Sequence, residues 1–274
     1  MKIKYRQNIN LFPEEICFPK KYNAIYMTIM GDDIFLKMSF LCSFSFFLFG
    51  GFAGKIIIFS DDARKSFDYF SQKDEERKII DRIEFISFCP KEVKSPYEIR
   101  SYIYKVYDFS KYNNVMYIDV DTLALKNINE LFFFEDDYCI CATENVPLSD
   151  KWFAWDFDNE DKKMISSLKG INSGFFIVSS RKIYDFLCEW NKKYLDLFEK
   201  YSTKIDQPSL NYILYKNVIK PKIVNDIVGV PFRGTGLTPQ NDYLINHYLG
   251  SDRGFSFEVM EKDFLNRIVH ENKI

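Results

Sequence analysis

The chain has 274 residues, 47% of them hydrophobic and 28% charged, with a formal net charge of -2. That supplies enough apolar mass for a sizeable core, and the near balance of acids and bases, without a cluster of Lys and Arg, argues against nucleic acid as a partner. Six scattered cysteines (Cys17, Cys42, Cys89, Cys139, Cys141, Cys188) have neither metal nor redox spacing and read as reduced core thiols of a cytoplasmic protein.

Residues 1–21 read as an N-terminal extension, and its first ten residues are too polar and too mixed in charge for a secretory signal. Ala24 to Met30 is the first expected strand. From Met38 to Gly54 the chain is uncharged and rich in Phe, yet three serines dilute it and Gly50, Gly51 and Gly54 end it short of a membrane span. A buried helix leading into a second strand, Lys55 to Ser60, gives one βαβ unit, closed by the turn-like Ser60-Asp61-Asp62. Asp74 to Arg82 is expected as a charged helix and Ile83 to Phe88 as a third strand. Ser95 to Phe109 is expected as a helix with Ile99, Ile103 and Val106 on one side, followed by a strand from Val115 to Ile118.

In the second half, Tyr138 to Ala142 and Gly174 to Ser179 read as strands. Arg181 to Lys200 is a long helix whose Ile183, Phe186, Leu187, Trp190, Tyr194 and Leu197 repeat at helical spacing. A further helix runs through Leu214, with Asp206 at its N-cap and Pro208 in its first turn. Glu258 to His270 is amphipathic; its mixed charge lacks the basic face of a membrane-surface helix, so packing on the domain is preferred to peripheral membrane contact. No repeat or proline-rich linker divides the chain. The alternation predicts a single two-part α/β domain.

The segment Tyr117-Ile118-Asp119-Val120-Asp121-Thr122-Leu123 sets two carboxylates two residues apart where a buried apolar run ends. In an extended strand, residues i and i+2 share a face, so Asp119 and Asp121 can address one ion. Hard oxygen ligands without a thiolate suit a magnesium- or manganese-type cation that also holds phosphates. A D-x-D alone is common by chance and reads equally as a solvated strand end. Its place at a strand's carboxyl end, where open parallel sheets bind ligands, agrees with the metal reading.

Three later blocks follow in order: Ile171-Asn172-Ser173-Gly174-Phe175-Phe176-Ile177, Asp206-Gln207-Pro208-Ser209-Leu210-Asn211 and His247-Tyr248-Leu249-Gly250. Together with the D-x-D they resemble glycosyltransferase family 8, which includes glycogenin and bacterial lipopolysaccharide galactosyl- and glucosyltransferases. The similarity runs over roughly residues 22–255. It implies a GT-A fold, a Rossmann-like mixed sheet flanked by helices, over residues 22–274, with a nucleotide-binding part at 22–125 and an acceptor and sugar part at 126–274. It further implies a nucleotide-sugar donor (UDP-glucose or UDP-galactose), Mn2+ or Mg2+ as cofactor, and hexose transfer with retention.

Carried over block by block, Asp119, Asp121 and His247 become the metal ligands, and Asp206 and Gln207 the pair beside the reacting sugar. Asn172, Ser173 and Gly174 would line the donor sugar, and Thr28, Asp32 and Phe35 the nucleotide base and ribose. Asp32 reads equally as an ordinary N-cap, and the Asn172 block as a turn before a strand. Val120 and Gly250 join the donor-binding set. Arg100 is the candidate basic residue reaching toward donor phosphate or sugar, with Lys105 as its rival. Where the family continues Lys-Pro-Trp after its His-Tyr-x-Gly block, this chain has Ser251-Asp252-Arg253-Gly254-Phe255; Arg253 can still hold phosphate through a bidentate fork.

The expected acceptor is a glycan, a lipid-linked glycan or a protein, with lipopolysaccharide biosynthesis the expectation for a bacterial source. Two other readings are a catalytically degenerate nucleotide- or glycan-binding protein and a haloacid-dehalogenase-like phosphatase. The second would place its threonine two residues after the second aspartate, whereas here Thr122 is adjacent.

Overall fold

A computed structural model describes residues 22–74, 79–88, 90–216, 219–225, 228–229, 243–248 and 253–270. The expected N-terminal extension, and Gly250 with it, lie outside the described residues.

Four strands, β1 (Ala24–Ile29), β2 (Lys55–Ser60), β3 (Ile83–Ser87) and β4 (Asn114–Ile118), run parallel in the order β3-β2-β1-β4. A short β5 (Thr122–Ala124) follows, then β6 (Tyr138–Pro147), β7 (Lys169–Ser179) and β8 (Lys220–Ile223), which extend the sheet as β4-β7-β6-β8. β7 is antiparallel to both its neighbours, so the seven-stranded sheet is mixed. β9 (Val228–Gly229) and β10 (Ile245–His247) join β5 in a separate three-stranded sheet ordered β5-β10-β9.

Helices cover both faces because β1 and its neighbours are apolar on both. Ile25, Met27 and Ile29 point into one core, and Ala24 and Tyr26 into the other. The first core takes α1 (Asp33–Leu48), α2 (Ala63–Lys73) and, from the chain's end, α7 (Arg253–His270). The second takes α3 (Ile99–Tyr102), α5 (Ile183–Tyr201) and α6 (Gln207–Tyr215), while α4 (Asn159–Ile165) sits over a small third cluster of Leu148, Phe153, Phe157 and Ile165.

The Phe-rich stretch is the buried helix α1. Asp32 caps it by accepting from Ile34 N at 2.9 Å, and the chain leaves it through Gly51, whose φ of 59° suits a residue without a Cβ. No helix among the described residues is long and apolar enough to cross a membrane.

Three sequence expectations are corrected. The charged helix near residue 74 is instead α2, which begins where Ser60-Asp61-Asp62 was read only as a turn: Asp62 caps it by accepting from Lys65 N at 2.9 Å. Asp74 closes it and receives the Ile79 and Ile80 amides, so only a 3-10 turn, Ile80–Arg82, precedes β3. The expected helix from Ser95 to Phe109 is helical only over α3 and a 3-10 turn, Ile103–Lys105, and leaves Val106 exposed. Finally, β7 starts at Lys169, so the Asn172 block is strand rather than the turn before one.

β2 and β3 lie on one side of β1 and β4 on the other. The strand order therefore reverses between β1 and β4, and this reversal opens a crevice at their carboxyl ends. Asp119 is the first residue beyond β4.

Candidate active site

β4 ends at Ile118 opposite Phe175 of β7, and the Asp119 amide donates to the Gly174 carbonyl at 2.9 Å. Three residues on, β5 pairs antiparallel with β10, setting Thr122 against His247, and the Tyr248 amide donates to the Asp121 carbonyl at 2.7 Å. This pairing brings His247 to the D-x-D across the sequence. Its Nε2 lies 2.9 Å from Asp121 Oδ1 and 3.7 Å from Asp119 Oδ2. One ligand-capable atom from each of Asp119, Asp121 and His247 falls within 4.8 Å of the others.

The donor set fits a divalent cation: two carboxylates and an imidazole nitrogen, with no thiolate. The packing fits as well. A Cβ on Gly174 would stand 2.4 Å from His247 Cε1 and 2.6 Å from Asp119 Oδ2, so only glycine leaves the cluster its room. Burial alone would lower the His247 pKa, but the carboxylates of Asp121 and Asp119 outweigh it and hold the imidazole above its ordinary value. Buried His247 Nδ1 has no hydrogen-bond partner among the described residues.

Beside this triad, Arg100 of α3 bridges two acids. Its Nη2 is 2.8 Å from the Asp119 carboxylate, and its Nη1 is 3.1 and 3.0 Å from the two Asp206 oxygens. Nη1 also donates to Ser173 Oγ at 2.7 Å, and that hydroxyl donates to Asp206 Oδ1 at 3.0 Å. Rings of Tyr97 and Tyr117 lie 5.4 and 5.6 Å from the guanidinium, which adds cation-π contact. Burial opposes the Arg100 charge, yet Asp119 and Asp206 overcome it and raise its pKa further; burial pushes the Asp206 carboxyl up, with Arg100 offsetting part of the shift. Lys105, the rival of Arg100, instead lies over the Tyr102 and Tyr104 rings.

Asp206 stands at the N-cap position of α6, but its side chain makes no capping bond; it is committed to Arg100 and Ser173. Gln207 Oε1 receives Asn172 Nδ2 at 3.2 Å, and the same nitrogen donates to Glu144 Oε1 at 2.7 Å. Asn172 Oδ1 turns back to accept from Gly174 N at 2.7 Å.

Thr28, at the end of β1, is hydrogen-bonded to Tyr117, whose hydroxyl donates to Asp119. Asp32 is the α1 cap, Phe35 packs on the first core and Val120 is buried in it; none of these three is part of the charged cluster. Arg253 begins α7.

Two participants escaped the sequence reading. Tyr117 carried a usable signal, since it stands two residues before Asp119 on the same strand face. Glu144 carried none, because only the pairing of β6 with β7 places it beside Asn172.

A family profile described as nucleotide-diphospho-sugar transferase matches residues 110–267, more than half of the chain. No curated protein sequence matches. Among solved structures, the fold is similar to mouse xyloside xylosyltransferase 1 in its apo form, at 14% identity and a TM-score of 0.56, covering 83% of this chain and 97% of that one. It is similar to an active-site mutant, Q189E, of LgtC, at 11% identity and a TM-score of 0.56, covering 87% and 95%. It also resembles the apo form of the glycosyltransferase GlyE of Streptococcus pneumoniae TIGR4, at 14% identity and a TM-score of 0.54, covering 92% and 64%. The mixed sheet flanked by helices is the GT-A fold.

Proposed function

The chain belongs to the nucleotide-diphospho-sugar transferase family, and we propose that it moves a hexose from a UDP-sugar to a hydroxyl acceptor, with retention at the anomeric carbon. The observation that carries this reading is the convergence of Asp119, Asp121 and His247 around the space left by Gly174. These three residues would hold Mn2+ or Mg2+, which when bound would supply Lewis-acid charge to a nucleoside diphosphate leaving group.

Arg100 fixes the Asp119 carboxylate by a direct ion pair while holding Asp206 from the other side. Asp206, neutralised by the guanidinium and the Ser173 hydroxyl, binds a donor hydroxyl rather than attacking carbon. Its engaged oxygens make it a poor nucleophile, which favours attack from the front face. Gln207, with Oε1 taken by Asn172, offers its amide N–H groups to the reacting sugar. Thr28, Asp32 and Phe35 are assigned to the nucleoside, and Gly250 and Arg253 to the diphosphate, on the family resemblance alone.

The test is transfer from UDP-glucose and UDP-galactose to a panel of saccharide acceptors in manganese and in EDTA, with anomeric configuration read by NMR. Metal-dependent transfer giving the donor's own anomeric configuration is expected. An inverted product would reject the front-face account, and a glycosyl adduct on Asp206 found by mass spectrometry would replace it with a covalent one.

A further inference from the structure

β4 lies between β1 and β7, and its Tyr117 is paired directly with Tyr26 on one side and Phe176 on the other. All three rings enter the second core. The Tyr117 ring stacks on Phe176 at 5.3 Å and tilts against Tyr26 at 4.9 Å, and the residue is 1% exposed. Cross-strand packing on both sides therefore fixes where its hydroxyl stands. The strand period sets that side chain on the face of Asp119, two residues on, and the hydroxyl donates to Asp119 Oδ1. With its proton spent there, the phenol oxygen accepts from the hydroxyl of Thr28, which shares a face of β1 with Tyr26.

The other partner of the Asp119 side chain constrains it differently. Arg100 Nη2 is 2.8 Å from each carboxylate oxygen. One nitrogen shared equally by two oxygens sets where a carboxylate lies but leaves its plane free to turn, and a hydroxyl on Oδ1 alone supplies the second constraint. Oδ2 is then left facing His247 Nε2, 3.7 Å away, beside the space that Gly174 keeps open. Tyr26 serves the same ion pair from its other half, since its hydroxyl donates to the Arg100 carbonyl at 2.9 Å.

We infer that Tyr117 is a positioning residue of the cation site: by holding Asp119 Oδ1 it presents Oδ2 to the cluster with His247, and Thr28 sets the direction of its hydroxyl. The inference rests on the metal reading of Asp119, Asp121 and His247. It gives Thr28, placed at the nucleoside by resemblance alone, a task at the metal cluster that it performs through Tyr117. Partners of this kind, one bond removed from the ion, orient a ligand and tune the affinity of its site.

The experiment is titration of Mn2+ into the full chain, alone and with UDP, with free ion and the line shape of bound ion read by electron paramagnetic resonance. It compares wild type with Tyr117→Phe, Thr28→Val, Thr28→Ser and Tyr194→Phe, each checked for folding by circular dichroism and thermal melting. Tyr194 is the control, a phenol as deeply buried but hydrogen-bonded to Ser95, at 2.7 Å, and not to the cluster. Expected in Tyr117→Phe are a loss of manganese affinity of about 10–100-fold and an altered line shape of the ion that still binds. Thr28→Val should show a smaller loss, Thr28→Ser the wild-type affinity, and Tyr194→Phe no loss. Tyr117→Phe that melts earlier yet binds manganese as tightly as wild type overturns the inference and leaves the metal site standing. An equal loss in Tyr194→Phe also overturns it, by tracing the effect to general loosening. Wild type that takes up no manganese in either condition rejects the metal reading, and the inference with it.

Discussion

Two charged clusters in this molecule have the same ingredients and opposite characters. At the crevice, Arg100 joins Asp119 and Asp206, and these side chains are 13%, 16% and 3% exposed. At the edge of the excursion between β6 and β7, residues 148–168, Asp156 and Lys193 are 19% and 13% exposed, but their third member, Lys200, is 52% exposed and opens the cluster to water. The same chemistry gives opposite shifts in the two carboxylates. Hydrogen bonds from Lys193 and then Lys200 hold Asp156 below the usual carboxylate range, whereas burial drives Asp206 above it despite its arginine. A buried cluster that costs so much desolvation is poor stabilising material, and breaking it by removing one partner is expensive; a peripheral one works as a strap.

Breaking the buried cluster should therefore produce the largest effect. Arg100→Met leaves two acids facing each other without a counter-charge and should cost about 3–5 kcal/mol in denaturant unfolding; a loss below about 1 kcal/mol would show that water reaches the pair freely. Gly174→Ala is next. Its Cβ presses on His247 and Asp119, so manganese affinity should fall about 10–100-fold in calorimetric titration while the fold persists. Ser173→Ala removes a hydroxyl that accepts from Arg100 and donates to Asp206, a change of about 1–2 kcal/mol, measurable by thermal denaturation.

The peripheral strap should respond least and to a different variable. The folded pKa of Asp156 is depressed, so its contribution to stability is present above the ordinary carboxylate range and disappears as pH falls through the folded value. Limited proteolysis within residues 148–168 should thus accelerate in acid, and Asp156→Asn should bring that susceptibility to neutral pH. Equal cleavage of both proteins at every pH would remove the strap from the account.

Local signals made much of this legible in the sequence. The period-2 face that sets Asp119 and Asp121 together is covalent geometry, and the apolar runs of β1, β2 and β4 left little choice of element. The Phe-rich stretch could be read as buried because glycines end it. What escaped depends on tertiary pairing. Nothing near His247 announces that β10 lies antiparallel to β5, so its convergence with the D-x-D came only through the family resemblance. Glu144 has no motif around it. The expected helix at Ser95–Phe109 is cut short: Ile99 and Ile103 are buried at helical spacing while Val106 is not, and the chain tightens into a 3-10 turn at Ile103–Lys105. Asp206 shows how far one residue can be read: its position at the N-cap was visible, but its commitment to Arg100 and Ser173 required the fold.

The central claim is that Asp119, Asp121 and His247 form a metal site that holds a nucleoside diphosphate. Its most direct test is calorimetric titration of UDP, with GDP and CDP as controls, into wild type and Asp121→Asn in manganese and in EDTA. The account predicts UDP binding that requires manganese and is lost in Asp121→Asn. Binding of UDP that survives both EDTA and the substitution, or no nucleotide binding under any condition, would contradict it.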